Sequence, residues 1–457
     1  MPYEKKSNSN QTHLALLILI FTGLIISRLL PLLKAPISAF GYDYGFYIDA
    51  LKNTGAVNWQ ALLTAVWGGF NNPIFYFFNF LNFPPELALS ISYLFFSFFT
   101  GLALYWFFYP HNKTAGLFAL LLYSLSLVQT ESYLMFLYKN AFALPFLILG
   151  LKFFNEKKWQ LFFLSSLIIL LSHRTTAIIY FLTLGLYWTW LLLKQKKYTL
   201  LVISYSLLVI SSLSCFFFLN LKSIILNLVE HNNYNVRTGL FFGDENILKH
   251  IWPLLPLTIT GIVISIKRKT NTLVLFLTGL CLVWIIFHLP FYRRIWLYFD
   301  LSLIMLSSYF LSELNYSKKY LKLALGIIII FFAFRFSQFT WAKDPLISKQ
   351  EIKEIKNLDA KNIFILAVSA NDAPWLLAFT NGYRLGAPGL LEDPHTYEEW
   401  QNFWQGQNQR QFISNYPRPL YLYHRDWQLP KFNLGNCLKP ISRNFSEIDF
   451  VCVEKNL

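Results

Sequence analysis

One feature constrains this chain above all others. It is a recurring stretch of about 20 apolar residues, the length an α-helix needs to cross the hydrocarbon of a bilayer. About eleven such stretches are read, over 13–33, 86–109, 113–130, 133–153, 159–172, 174–193, 198–219, 250–266, 272–290, 293–312 and 320–341. The 457 residues are 55% hydrophobic, 19% aromatic and only 14% charged, where a soluble domain carries roughly 25% charged residues. No single globular core hides that much apolar surface. The expected fold class is an α-helical polytopic membrane protein. A soluble enzyme, a disordered scaffold and a small disulfide-rich secreted module are excluded.

The net charge of +15 raises the question of nucleic acid, and its placement answers it. With the N-terminus inside, the loops on the inner face carry 15 Lys and Arg against Glu4, Glu156 and Glu313, so +12 of the +15 sits there. The segment from Ala342 onward has 13 basic and 13 acidic residues and is neutral. This is the positive-inside bias, which sets topology, and no nucleic-acid partner is implied. An odd span number puts the C-terminus outside. The expected division is therefore a membrane domain over 1–341 and an extracytoplasmic domain over 342–457, in a plasma or inner membrane.

The tail has ordinary soluble composition and alternating element signals. KNIFILAV reads as a strand, DAPWLLAFT as a short helix and TYEEWQNFWQGQNQRQFI as an amphipathic helix, while PLYLYHRDW and IDFVCV read as further strands. A small α/β domain is expected. Trp400 and Trp404 are spaced as a buried helix stripe, or as a platform for a sugar ring. Cys437 and Cys452 flank a plausible turn in this outer domain; an oxidising exterior permits a disulfide there, but sequence alone does not bring their Cα atoms together. Cys215 and Cys281 lie inside spans and read as packing residues. HRD in YLYHRDW has no Gly-rich loop with it and reads as a coincidental word.

Ionisable residues in or beside spans are costly and usually have a reason. Here they gather at outer ends. Asp43 follows the first span amid Tyr42, Tyr44, Phe46 and Tyr47. A carboxylate among aromatic rings is suited to act as a general base near neutral pH, and the bland alternative is a helix N-cap. Asp49, six residues on, reads as a surface or supporting carboxylate. Glu131, at the outer end of its span, is either a second acidic group that holds a divalent cation such as Mg2+ or Mn2+ or positions a hydroxyl, or an exposed interfacial glutamate. No His/Cys cluster with zinc spacing exists.

His173 and Arg174 interrupt an apolar block and read as the tip of a tight hairpin. Arginine's planar fork of donors suits phosphate; the alternative is a pair of charges that only keeps two helices from fusing. Tyr292, Arg293 and Arg294 open a later span. Adjacent helical residues point about 100° apart, so one arginine is expected to face a cavity. Asp300, two turns below Arg293, is expected to orient it or pair with it. Arg28 and Arg335 read as snorkelling or pairing residues.

The segments GYDYGFY after the first span, NNPIFYFF, YKNAFALPFLILGLKF and LSHRTTAI, taken in order, resemble the GT-C superfamily of membrane glycosyltransferases. That group includes protein O-mannosyltransferases, aminoarabinose transferases and catalytic subunits of oligosaccharyltransferases. The resemblance implies a GT-C-like fold, an active site on the outer face and a donor sugar on polyprenyl phosphate or diphosphate. It implies that Asp43 activates the acceptor, which is a glycan, lipid or protein, and that Glu131 falls in the region of the second acidic residue. The DxD pair of some members and the Trp-Trp-Asp word of oligosaccharyltransferases are absent.

The expected function is thus transfer of a sugar from a lipid-linked donor, with Asp43 as base and His173, Arg174, Arg293 or Arg294 beside the leaving phosphate. A lipid-linked glycan polymerase or ligase, a transporter or flippase, and a non-catalytic assembly subunit are the alternatives.

Overall fold

The computed structural model describes residues 3–41, 43–52, 82–194, 244–289, 291–314, 319–358, 363–380, 384–388, 390–391, 393–425 and 437–456. The stretch expected over 198–219, with Cys215, lies outside them, as do Tyr42 and NNPIFYFF. Helices occupy the other ten expected stretches. Among the described residues, five helices are long and apolar enough to cross a membrane, and a bent pair makes a sixth. The chain divides into two compact units: Met1–Pro31 with Ile91–Lys343, and Leu32–Ser90 with Asp344–Leu457. The segment expected to form the first outer loop therefore groups with the tail.

In the first unit, helix Tyr292–Glu313 is the central element. Seventeen of its residues are buried, and it packs on helices Lys113–Leu125, Leu255–Arg268 and Thr272–Ile286. Close approach depends on glycine. A Cβ at Gly261 would lie 2.2 Å from Leu306 O, and one at Gly116 would lie 2.7 Å from Tyr105 O. Large apolar side chains such as Ile18, Leu19, Leu164, Leu167, Ile327, Ile330 and Phe334 are exposed. Water would penalise such a surface, and a hydrocarbon solvent does not.

The span expected over 113–130 is not straight. Helix Lys113–Leu125 and helix Leu127–Leu134 meet at 52°. Ser126 is the cause. Its backbone is extended (φ −69°, ψ 124°), and its side chain accepts from Gln129 N–H, so it caps the second helix. Periodicity alone does not register such a break, because both halves are apolar.

In the second unit a six-stranded mixed sheet has the order β3-β2-β1-β4-β6-β5. The strands are β1 (Phe364–Ala367), β2 (Arg384–Ala387), β3 (Leu390–Leu391), β4 (Leu420–Tyr423), β5 (Leu438–Pro440) and β6 (Phe445–Ile448). β1 runs parallel to both β2 and β4, with Ile365 opposite Leu385 and Tyr421; the outer pairings are antiparallel. DAPWLLAFT forms helix Ala373–Phe379 as expected. The amphipathic stretch 396–413 is two helices, Tyr397–Trp404 and Gln409–Ser414. Gly406 (φ 82°) and Asn408 (φ 53°) take left-handed backbone between them and end the first helix. IDFVCV is not a strand beyond Ile448. Asp449 Oδ1 accepts from Val451 and Cys452 N–H and starts helix Phe450–Asn456. Cys437 and Cys452 form a disulfide with Cα atoms 5.2 Å apart. Closing a loop of 15 residues is worth about 3 kcal/mol.

Candidate functional site

Most of the candidate residues belong to the first unit. Helix Trp159–Ser172 ends at His173, whose backbone is extended (φ −153°, ψ 116°), and helix Arg174–Lys194 starts at the next residue. This is the expected hairpin tip. His173 is buried. Its Nδ1 accepts the Thr176 backbone N–H at 3.2 Å and lies 2.8 Å from Thr176 Oγ1. The imidazole thereby caps the helix it precedes. Thr176 Oγ1 is 2.6 Å from Tyr298 OH, which accepts from Asn140 Nδ2 at 2.9 Å. Burial, then the charges of Arg294, Lys139 and Arg174, hold the His173 pKa well below the ordinary histidine value. A neutral ring that accepts at Nδ1 carries its proton on Nε2, where it is a donor.

Arg174, Arg294 and Lys139 thus reach the same imidazole electrostatically. Arg174 is half-buried and makes no hydrogen bond or ion pair with any described residue. Like charges gathered around one imidazole repel one another, and an anion relieves the repulsion. Lys139 and Tyr298 were not singled out from sequence. Lys139 had a usable signal: it is a basic residue at an end that the charge bias assigns outside.

Tyr292, Arg293 and Arg294 open helix Tyr292–Glu313. Arg293 lies over the Tyr292 ring, 5.9 Å from its centroid, whereas Arg294 is the one whose charge reaches His173. Asp300 does not orient Arg293. It is buried, and its Oδ2 accepts from Ser126 Oγ at 2.8 Å and Gln129 Nε2 at 2.9 Å. Arg28 does not snorkel. It is fully buried and donates to Ser97 Oγ (3.1 Å), Thr130 Oγ1 (2.6 Å) and Tyr123 O (3.5 Å), with the Tyr123 and Tyr133 rings near its guanidinium. Arg335 lies over the rings of Trp252 and Phe331.

Glu131 is buried, not exposed, on helix Leu127–Leu134. Lys343 donates to its Oε1, and its Oε2 has no hydrogen-bond partner among the described residues. A hard divalent cation takes six or more oxygen ligands. Among the described residues no three His, Cys, Asp or Glu side chains converge to supply them, and Glu131 already has a cationic partner. The described donor set does not fit the metal, and no step is routed through one.

In the second unit, Asp43 is half-buried in the turn that leads into helix Tyr44–Lys52, and its carbonyl accepts from Tyr47 N–H at 3.4 Å. Tyr44, Phe46 and Tyr47 are buried. Burial, then Glu86, raises the Tyr44 pKa, so this phenol stays neutral. Asp49 is half-buried on the same helix. Trp400 is fully buried and donates from Nε1 to Asp393, and Trp404 donates to Val368 O. Both are packing residues. In the HRD word, His424 is hydrogen-bonded to Ser446 and Arg425 is ion-paired to Asp372 and Glu351.

The fold is similar to that of the apo-form crystal structure of the Archaeoglobus fulgidus oligosaccharyltransferase, with a TM-score of 0.60 over 90% of this chain and 69% of that one, at 11% identity. No protein-family model and no curated protein matches the sequence. The class defined is therefore a helical membrane protein with an oligosaccharyltransferase-like fold.

Proposed function

We propose that the chain is a GT-C-type membrane glycosyltransferase that moves a sugar from a polyprenyl-phosphate or polyprenyl-diphosphate donor to an acceptor outside the cytoplasm. Its N-terminus is cytoplasmic and its tail extracytoplasmic, in a plasma or inner membrane. The fold likeness supports the class. The observation that carries the reading is Arg174, a half-buried guanidinium without a described partner in the field of Arg294 and beside the neutral His173. Such a group is preorganised for an anion, and no reorganisation is needed when the charge arrives.

In the reaction, the Asp43 carboxylate takes the proton of an acceptor hydroxyl. The oxygen attacks the anomeric carbon, and the bond from that carbon to the phosphate oxygen breaks. The electron pair leaves with the lipid phosphate. Arg174, Arg294 and the His173 Nε2–H stabilise the charge that develops there, while Lys139 adds to the positive field.

The test uses purified protein in liposomes with a panel of polyprenyl-phosphate and polyprenyl-diphosphate sugars, followed by mass spectrometry of the donor. Wild type consumes one donor. Asp43→Asn does not, and Arg174→Ala slows consumption by about 10²–10³-fold. Equal consumption by Asp43→Asn removes it as the base. Movement of intact donor between leaflets, insensitive to Asp43→Asn, would replace the enzyme with a flippase.

A further inference from the structure

Two stretches that are far apart in sequence meet in the second unit, and Gly45 marks the place. Helix Tyr44–Lys52 lies against helix Ala373–Phe379. A Cβ at Gly45 would sit 1.5 Å from Pro374 O and 2.2 Å from its carbonyl carbon. No side chain fits there unless backbone moves. On either side of this contact the first-loop segment is tethered. Trp375 is buried, and its Nε1 donates to Ser38 O at 2.7 Å. Lys52 Nζ donates to Ala378 O at 3.1 Å, at the helix end where carbonyls lack partners and a cation is favoured. Asp43 lies between these tethers, two residues before Gly45.

Arg425 holds the other side of the arrangement. Its guanidinium meets Asp372 Oδ1 at 3.1 Å and Leu346 O at 3.2 Å, with Glu351 at 3.5 Å. Asp372 is the residue that precedes helix Ala373–Phe379. Leu346 donates its own N–H to Ala39 O at 2.8 Å. One side chain from the end of β4 thus fixes both the helix that Gly45 rests on and the turn that Ala39 is bonded to. A lysine, with a single nitrogen, does not span these three oxygens.

We propose that Arg425 is a positioning residue for Asp43: through helix Ala373–Phe379 and the turn at Leu346 it sets where the first-loop carboxylate stands. The tail is then part of the catalytic apparatus and not a detachable cover. The proposal rests on Asp43 being the base only for its consequence in catalysis, so its test reads position directly.

The full chain carries Asp43→Cys in a background of Cys215→Ser and Cys281→Ser, and is labelled in detergent with a methanethiosulfonate reagent. A cysteine at the exposed Leu33 is the control. Arg425→Gln is expected to change the labelling rate at position 43 by about fivefold or more, the scale of one or two lost hydrogen bonds. The control rate stays unchanged although the thermal midpoint falls, and Arg425→Lys does not restore the parent rate. If Arg425→Gln fails to fold, Trp375→Phe, which removes the bond to Ser38 together with part of the buried indole, serves in its place. An unchanged rate at position 43, or an equal change at both positions, overturns the proposal. Donor consumption by Asp43→Asn would instead remove the base reading and leave the labelling result standing.

Discussion

Arg28 and Asp300 are buried charges of opposite sign that bind the two sides of one helix break and make no ion pair among the described residues. Arg28 reaches Tyr123 O, among the last carbonyls of helix Lys113–Leu125. Asp300 holds Ser126 and Gln129 at the start of helix Leu127–Leu134. Each charge therefore meets the helix end whose dipole favours it. The break is stabilised from both faces, and Glu131 is carried on the short helix that follows.

Removal of one of these charges strips neutral hydroxyl and amide groups of their partner. Asp300→Leu is expected to lower stability by about 3 kcal/mol, and Asp300→Asn by less because it still accepts. Arg28→Leu should cost a similar amount. The double variant should fall short of the sum, since both act on the same break. Thermal unfolding of the four proteins in detergent gives the comparison, and strict additivity would mean that the two sites are independent.

Glycine substitutions should split into two groups. Gly261→Ala and Gly116→Ala push a methyl against the Leu306 and Tyr105 carbonyls and should cost about 1–3 kcal/mol through overpacking. Gly185 and Gly279 have nothing within 4 Å of an added Cβ, and alanine there should be neutral or stabilising by up to about 1 kcal/mol. Detergent melting curves distinguish the groups.

The C-terminal helix should respond to acid. Asp449 has its pKa lowered first by the Lys439 ammonium and then by Cys452 N–H. A depressed carboxylate contributes stability that is full above its ordinary value of 3.8 and is lost as pH falls through the lower native value. Hydrogen exchange of residues 450–456, corrected for intrinsic rates, should show protection that persists at neutral pH and fades only as pH falls below the ordinary carboxylate value. Lys439→Met should move the fade to higher pH.

Much of the architecture was legible because a bilayer solvent leaves a coarse mark on sequence. Ten of the long apolar runs, the interrupting His173–Arg174 pair and most of the alternating signals after Ala342 lead to elements found in place among the described residues. What escaped was short or shared between distant segments. Ser126 breaks a helix without breaking its hydropathy. Asp300 lies two turns from Arg293 on the same helix, yet its partners come from a segment more than 170 positions away. Lys343 as the partner of Glu131, and Tyr298 beneath His173, likewise depend on tertiary approach. Asp449 looked like a residue within a strand because Ile448 and Phe450–Val453 are apolar, and only its side-chain oxygen turns the chain into a helix.

The contact of Gly45 with Pro374 has a consequence for biosynthesis. The two residues are separated by more than 300 positions, and the segment Ile91–Lys343 of the first unit lies between them in sequence. A ribosome that adds about 5–20 residues per second delivers Pro374 roughly 15–70 s after Gly45. Throughout that interval Asp43 has been made and has no helix Ala373–Phe379 to rest on. The arrangement around Asp43 therefore forms only when the segment from Asp344 onward has been made and has folded.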